Sequence, residues 1–194
     1  MQRTLFVGDV HGCADELSLL LKKARPTRII LVGDLFSKGP DPRGVWKLIK
    51  KHRCEAVLGN HDARVLGLWK PGQRLPRKAF VWLAGLPLFI RGDGWAAVHA
   101  GFDPKRGLDA VRPGQAMGMR ETRRGVPWWQ EYDGDELIVC GHHAREGLLD
   151  LRPKVLSLDT GCVSGGRLTG YLLEKDRIVS VPAGGRRRGQ RSAA

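Results

Sequence analysis

The feature that most constrains what this chain can fold into is a phrase repeated along it: a short apolar run, then a glycine or a chain turn, then a polar residue that a strand has no need of. Leu5-Phe6-Val7 leads into Gly8-Asp9-Val10-His11-Gly12, Ile29-Ile30-Leu31-Val32 into Gly33-Asp34, and Ala56-Val57-Leu58 into Gly59-Asn60-His61-Asp62. Further on, Trp95–Val98 ends in His99-Ala100-Gly101 and Leu137–Cys140 in Gly141-His142-His143. Unbroken apolar runs of this length suit strands buried on both faces. Between the first three lie helical patterns. Leu17, Leu20, Leu21 and Ala24 form one apolar stripe, closed by Pro26; Asp41-Pro42 supplies an N-cap and a first-turn proline for a second helix, which runs to about His52 with Val45, Leu48 and Ile49 inward. Later strands pair in hairpins around Gly92-Asp93-Gly94 and Lys175-Asp176. Helices alternating with strands early and hairpins late predict an α/β fold, with a mixed sheet or two packed sheets flanked by helices.

In open α/β sheets, ligands bind beyond the carboxyl ends of the strands. Five strand ends here present Asp9 with His11, Asp34, Asn60 with His61, His99, and His142. Asp9 and His11 lie two apart, so in extended backbone they point the same way. Any one of these residues alone reads as a helix cap or a satisfied core group. Together they read as a site, because buried Asp and His need partners that a metal supplies. Six side chains exceed the four donors of one tetrahedral ion. Two divalent ions are therefore expected, with Asp34 as the bridge: Asp9, His11 and Asp34 on one, and Asp34, Asn60, His99 and His142 on the other. Carboxylate, amide and imidazole without thiolate suit Mn²⁺, with Fe or Zn²⁺ as alternatives. Such a pair carries more positive charge than two aspartates return, which acidifies a water and attracts phosphoryl oxygens.

The charge balance points the same way. Among 194 residues, 33 are Lys or Arg against 20 Asp or Glu, and a net charge of +13 favours phosphates, nucleotides or nucleic acid as partners. An apolar share of 42% is enough for one large core. Residues 1–183 are expected to form one domain. The Gly/Arg-rich stretch 184–194 is expected to be a disordered basic tail through which nucleic acid could bind. No apolar run approaches the roughly 18 residues of a membrane span. The N-terminus carries no signal-peptide pattern, and the four cysteines are scattered, so reduced thiols and a cytoplasmic location are expected. Residues 71–76 read as a loop, with a short helix near Phe80–Leu83. Residues 102–135 lack periodicity and read as a substrate loop or cap. Within them Trp128, Trp129 and Tyr132 are candidates for stacking on a nucleobase, with packing against the scaffold favoured for at least two.

The same five phrases, in order and spacing, resemble the calcineurin-like metallophosphoesterase superfamily. The resemblance spans residues 4 to about 174 and implies two mixed β-sheets packed face to face and flanked by helices. Within it, Lys38-Gly39-Pro40, Met119-Arg120, Gly141–Arg145 and Leu158-Asp159-Thr160-Gly161-Cys162-Val163 are similar to ApaH-like phosphatases, relatives of symmetrical diadenosine tetraphosphatase. The resemblance implies that His61 protonates the leaving oxygen, and Asp62 is the candidate to support it as the second catalytic residue. Lys38, Arg64 and Arg120 are the candidates for binding the phosphates. Serine/threonine protein phosphatases carry Asp-Arg-Gly where this chain has Ser37-Lys38-Gly39, so the aspartate that supports their histidine is missing. The implied activity is hydrolysis of dinucleoside polyphosphates, diadenosine tetraphosphate giving ADP. Phosphoprotein or nucleotide monoesters are the rival substrates. A nucleic-acid-binding protein on a degenerate phosphatase fold is the nonenzymatic alternative. Oligomeric state is left open.

Overall fold

The computed structural model describes residues 2–67 and 75–184. Most of the loop expected at 71–76, and all of the tail beyond Gly184, lie outside the described residues.

Two five-stranded mixed sheets form the centre. The first is built on β1 (Thr4–Val7), β2 (Arg28–Leu31) and β3 (Glu55–Ala56), mutually parallel, and is completed by the antiparallel β9 (Arg167–Leu172) and β10 (Arg177–Pro182). The second is built on β5 (Trp95–Val98), β6 (Leu137–Cys140) and β8 (Val155–Ser157), also parallel, with β4 (Phe89–Gly92) and β7 (Leu149–Leu151) antiparallel at the edges. Strand side chains alternate between faces, and the sequence uses both. Phe6, Ile30 and Val32 meet Trp95, Val139 and Leu156 between the sheets. Leu5, Val7, Ile29 and Leu31 turn the other way, onto α1 (Ala14–Ala24), α2 (Pro42–His52) and α4 (Arg77–Ala84). This double burial is why β1, β2, β5 and β6 carry no polar alternation.

Helix limits follow their caps. Asp41 accepts from Gly44 N–H at 2.8 Å and Pro42 opens α2, as expected. Both α1 and α2 end on a left-handed arginine, Arg25 and Arg53. The third strand is shorter than the apolar run Ala56–Leu58 predicts. Leu58 leaves the ladder, its N–H bonding instead to Pro87 O at 2.9 Å. Another helix, α3 (Asn60–Gly67), starts directly on the polar phrase.

Most of the aperiodic stretch is scaffold, though its Arg120 reaches the cleft. It folds over the outer face of the second sheet, with a 3₁₀ turn at Leu108–Ala110, the short α5 (Pro113–Gly118) and a second 3₁₀ turn at Trp128–Gln130. Trp128 is fully buried against Phe102, and its indole Nε1 donates to Ala100 O at 3.0 Å. Tyr132 packs on the same ring pair and donates its hydroxyl to Glu136 O. Trp129 stands edge-on to the His143 ring. All three aromatics therefore serve the scaffold, because the outer face of β5, β6 and β8 is itself apolar and needs cover.

Candidate metal centre

The carboxyl ends of β1, β2, β3, β5 and β6 converge, and their loops deliver the polar phrase into one cleft of about 220 Å³. Asp9, His11, Asp34, Asn60, His61 and His142 line it together with Lys38, Arg120, Arg145 and Asp159. His99 lies behind them, fully buried. The glycines that precede these residues are needed for close approach. A Cβ on Gly141 would sit 2.0 Å from Asp9 Oδ1, and one on Gly59 would sit 2.3 Å from Asp34 Oδ1. The backbone is also held in an uncommon conformation there. His11, Asp34, Lys38 and His142 all have left-handed φ, between 47° and 66°. Non-glycine residues adopt this region at some cost, and such strain gathers at functional sites.

The hydrogen bonds fix which atoms face inward. His99 Nδ1 lies 2.8 Å from Val32 O. A carbonyl only accepts, so Nδ1 carries the ring proton and Nε2 presents a bare lone pair. Burial keeps this ring neutral, its pKa pushed down to about 3. That lone pair faces Asp34 Oδ1 at 3.5 Å and Asn60 Oδ1 at 3.0 Å. Asn60 Oδ1 in turn lies 3.1 Å from His142 Nδ1. On the other side of Asp34, His11 Nε2 sits 3.5 Å from Asp34 Oδ2 and 3.9 Å from Asp9 Oδ2. Ligand atoms of Asp9, Asp34 and His99 all lie within 4.8 Å of one another.

Electrostatics show what this cluster lacks. Burial, then Asp159 and Asp34, push the Asp9 carboxyl well above the usual range; burial also raises Asp34 and Asp159. His11 and His142 are held neutral by burial, each down to about 3. Three crowded carboxylates and lone pairs aimed at one another need a cation, so the donor set fits divalent metal. Asp34 stands between His11 on one side and His99 on the other.

The remaining predicted residues divide. Lys38 and Arg120 line the cleft, and Arg120 Nη2 donates to His142 O at 3.0 Å. Arg64 is exposed and does not line the cleft; its charge is felt at Asp34 and His61. His61 is half-buried in the cleft, its ring edge-on to His11 and its backbone N–H donating to Asp34 Oδ1 at 2.9 Å. Asp62 does not support it. Asp62 is fully buried, and its carboxylate accepts from Leu35 N–H at 2.9 Å and Gly59 N–H at 3.3 Å. Consecutive helical residues point about 100° apart, which sends Asp62 into the protein while His61 faces the cleft. Asp62 thus ties the Asp34 loop to the Asn60 loop. That is a correction to its pairing with His61.

Three contacts were not assigned from the sequence. Arg145 joins the cleft, three residues after His142. Ser37 bonds His11 Nδ1 at 2.9 Å rather than His61. His143, fully buried, donates from Nε2 to Ala100 O at 2.9 Å and so joins the two histidine loops. Only the adjacency of His143 to His142 signalled that last contact.

Residues 2–178 match the family model for calcineurin-like phosphoesterases. The chain belongs to that family, whose members are hydrolases. Among named relatives, an asymmetrical bis(5'-nucleosyl)-tetraphosphatase, PrpE, from Oceanobacillus iheyensis is 29% identical over 90% of each chain. A symmetrical bis(5'-nucleosyl)-tetraphosphatase from Chromobacterium violaceum is 24% identical over 91% of this chain and 94% of its own. A crystal structure described as "a putative diadenosine tetraphosphatase" superposes with a TM-score of 0.87 at 36% identity, over 94% of both chains. A metallophosphoesterase from Sphaerobacter thermophilus, at 18% identity and a TM-score of 0.64, shares the fold. The alignment with the Oceanobacillus protein runs over 231 positions against a chain of 194, so that relative holds inserted residues this chain lacks. No described helix is long and apolar enough to cross a membrane.

Proposed function

We propose that this chain hydrolyses the phosphoanhydride bonds of dinucleoside polyphosphates, diadenosine tetraphosphate giving ADP, at a dinuclear metal centre. The observation that carries the proposal is the convergence of Asp9, His11, Asp34, Asn60, His99 and His142 behind a cleft rimmed by Lys38, Arg120 and Arg145. Relatives named as tetraphosphatases support this choice of substrate class.

Two divalent ions, Mn²⁺ or alternatively Fe or Zn²⁺, would supply an acidified water and neutralise phosphoryl oxygens when bound. Asp9, His11 and Asp34 would hold one; Asp34, Asn60, His99 and His142 the other. Lys38, Arg120 and Arg145 neutralise non-bridging oxygens around the scissile bond, and the guanidinium groups can do so with two parallel donors. His61 holds a proton at the rim for the leaving oxygen. Asp62 fixes the two loops on which Asp34 and His61 stand. Residues 1–183 act as one metallophosphoesterase domain. The four free cysteines suit a reducing cytoplasm.

The test offers metal-stripped protein, resupplied with Mn²⁺, diadenosine tetraphosphate, a phosphoserine peptide and capped RNA in parallel, with products separated by chromatography. The expected result is fastest turnover of the dinucleotide with ADP as the sole product. ATP plus AMP would assign asymmetric cleavage, and a preference for the peptide would reassign the enzyme as a protein phosphatase.

A further inference from the structure

Besides the centre just described, one other group of metal-binding side chains is gathered among the described residues. Cys13, Glu16 and Cys162 are all buried, and their ligand atoms lie within 4.8 Å of one another. They come from distant parts of the chain. Cys13 follows Gly12 and precedes α1, Glu16 is in the first turn of α1, and Cys162 begins the 3₁₀ turn after Gly161.

Three observations argue for a ligand site rather than plain packing. Two thiols side by side fill an apolar core acceptably, but a carboxylate next to them does not. Glu16 is 8% exposed, and its Oε1 accepts from the Gly184 N–H at 2.7 Å. That bond orients the carboxylate, as outer contacts do for metal ligands. The separations also suit an ion. Sulfur at about 2.3 Å and oxygen at about 2.0 Å from a tetrahedral zinc stand about 3.5–3.8 Å apart, inside the observed limit. Finally, the donor chemistry is unlike that of the dinuclear centre, which has no sulfur. Thiolates select soft ions such as Zn²⁺ over Mn²⁺.

We propose that Cys13, Cys162 and Glu16 form a separate site for a thiophilic divalent ion of the Zn²⁺ class, with water in the fourth position. Binding converts both thiols to thiolates and releases two protons per ion. The ion then ties the start of α1, just beyond Asp9 and His11, to the turn whose Gly161, Val163 and Ser164 line the catalytic cleft. Metal supply would thereby reach the cleft through a second, chemically distinct door.

The test uses the full chain, purified under reducing conditions and stripped of metal, with Co²⁺ as the probe. A thiolate-to-cobalt charge-transfer band in the near ultraviolet is expected in the wild type and absent from Cys13→Ser/Cys162→Ser, which should also hold one fewer Zn²⁺ per chain. Glu16→Gln should keep the band and weaken Co²⁺ binding at this site by about 10-fold or more. The ¹¹³Cd resonance of wild-type protein provides a measurement independent of any variant's folding, and a sulfur-shifted signal is expected. Absence of both band and shifted signal from protein with four titratable thiols overturns the site. So does a band that persists in the double variant, which would move it to Cys54 or Cys140. Recovery of only two free thiols before reduction overturns it in favour of a Cys13–Cys162 disulfide.

Discussion

His99 donates its Nδ1 proton to the carbonyl of Val32, 2.8 Å away and just past β2 on the way to Asp34. The tautomer of one proposed ligand is thus set by the backbone that delivers another. Gly33 makes this contact possible. It has a φ of 100°, and a Cβ there would stand 2.7 Å from His99 Nδ1 and 2.9 Å from the Gly59 backbone. Gly33→Ala should therefore displace the His99 ring and lower metal affinity by about 10–100-fold, the usual effect of disturbing a ligand's outer partner. Isothermal titration with Mn²⁺ checks this. An affinity equal to wild type would mean the ring does not bind metal.

Asp34 is the side chain both ions are proposed to share. Asp34→Asn keeps the shape, and the amide oxygen can still accept from His61 N–H. It removes the bridging charge. Activity should fall by at least about 10³-fold, with metal content dropping toward one ion or none and circular dichroism unchanged. Turnover near wild type would rule out the bridge.

Metal-dependent stabilisation should rise with pH. In the metal-free protein, burial raises the carboxyls of Asp9 and Asp34, so each tends to hold a proton that a cation must displace. His11, His99 and His142, held neutral down to about 3, have no proton to lose above about pH 5. The carboxylates therefore set the slope, and protons leave as metal enters. The Mn²⁺-induced rise in Tm should grow over the pH range above the ordinary carboxylate pKa. A constant increment across that range would contradict the carboxylate assignment.

Which parts of this site were legible in the sequence follows from how local each one is. Asp9, His11, Asp34, Asn60, His99 and His142 announce themselves because each interrupts an apolar strand just where the sheet ends. The two-sheet form came from the family resemblance, since a run such as Leu5-Phe6-Val7 is buried on both faces in either architecture. Contacts across the fold left no local trace. The Ser37–His11 bond and the Asp62 tie to Leu35 depend on how loops far apart in sequence meet. Whether Trp128 stacks on a ligand or packs on the scaffold could not be read locally, because its partner surface, the outer face of β5 and β6, is formed by residues before and after it.

Asp62 offers a direct test of one of those ties. Its two oxygens accept from two separate N–H groups, Leu35 and Gly59. Asn can present only one acceptor oxygen and aims its amino group at the other N–H. A buried donor left unsatisfied costs about 1–3 kcal/mol. Asp62→Asn should lower stability by about that amount in a urea titration and reduce metal affinity, while His61→Asn leaves stability within about 0.5 kcal/mol. Equal stability in the two variants would detach Asp62 from the loops.

The role of His61 turns on the leaving group. Neither Ser37 nor Asp62 contacts its ring: Ser37 bonds His11, and Asp62 bonds backbone. Burial, with Lys38 and Arg64 acting against the pull of Asp34, also lowers its pKa. A weakly oriented ring that is less often protonated at neutral pH suits a leaving group that needs little help. ADP leaving from an anhydride is far less basic than a serine alkoxide, and general acid catalysis contributes about 10²–10⁴-fold where protonation is required. The wild type should therefore have the higher kcat/KM on diadenosine tetraphosphate than on a phosphoserine peptide. His61→Asn should lose proportionally more on the peptide, by about 10-fold or more, with kcat carrying the difference. Measured on both substrates at saturating Mn²⁺, equal proportional losses would show that His61 acts on the phosphoryl group itself rather than on the leaving oxygen.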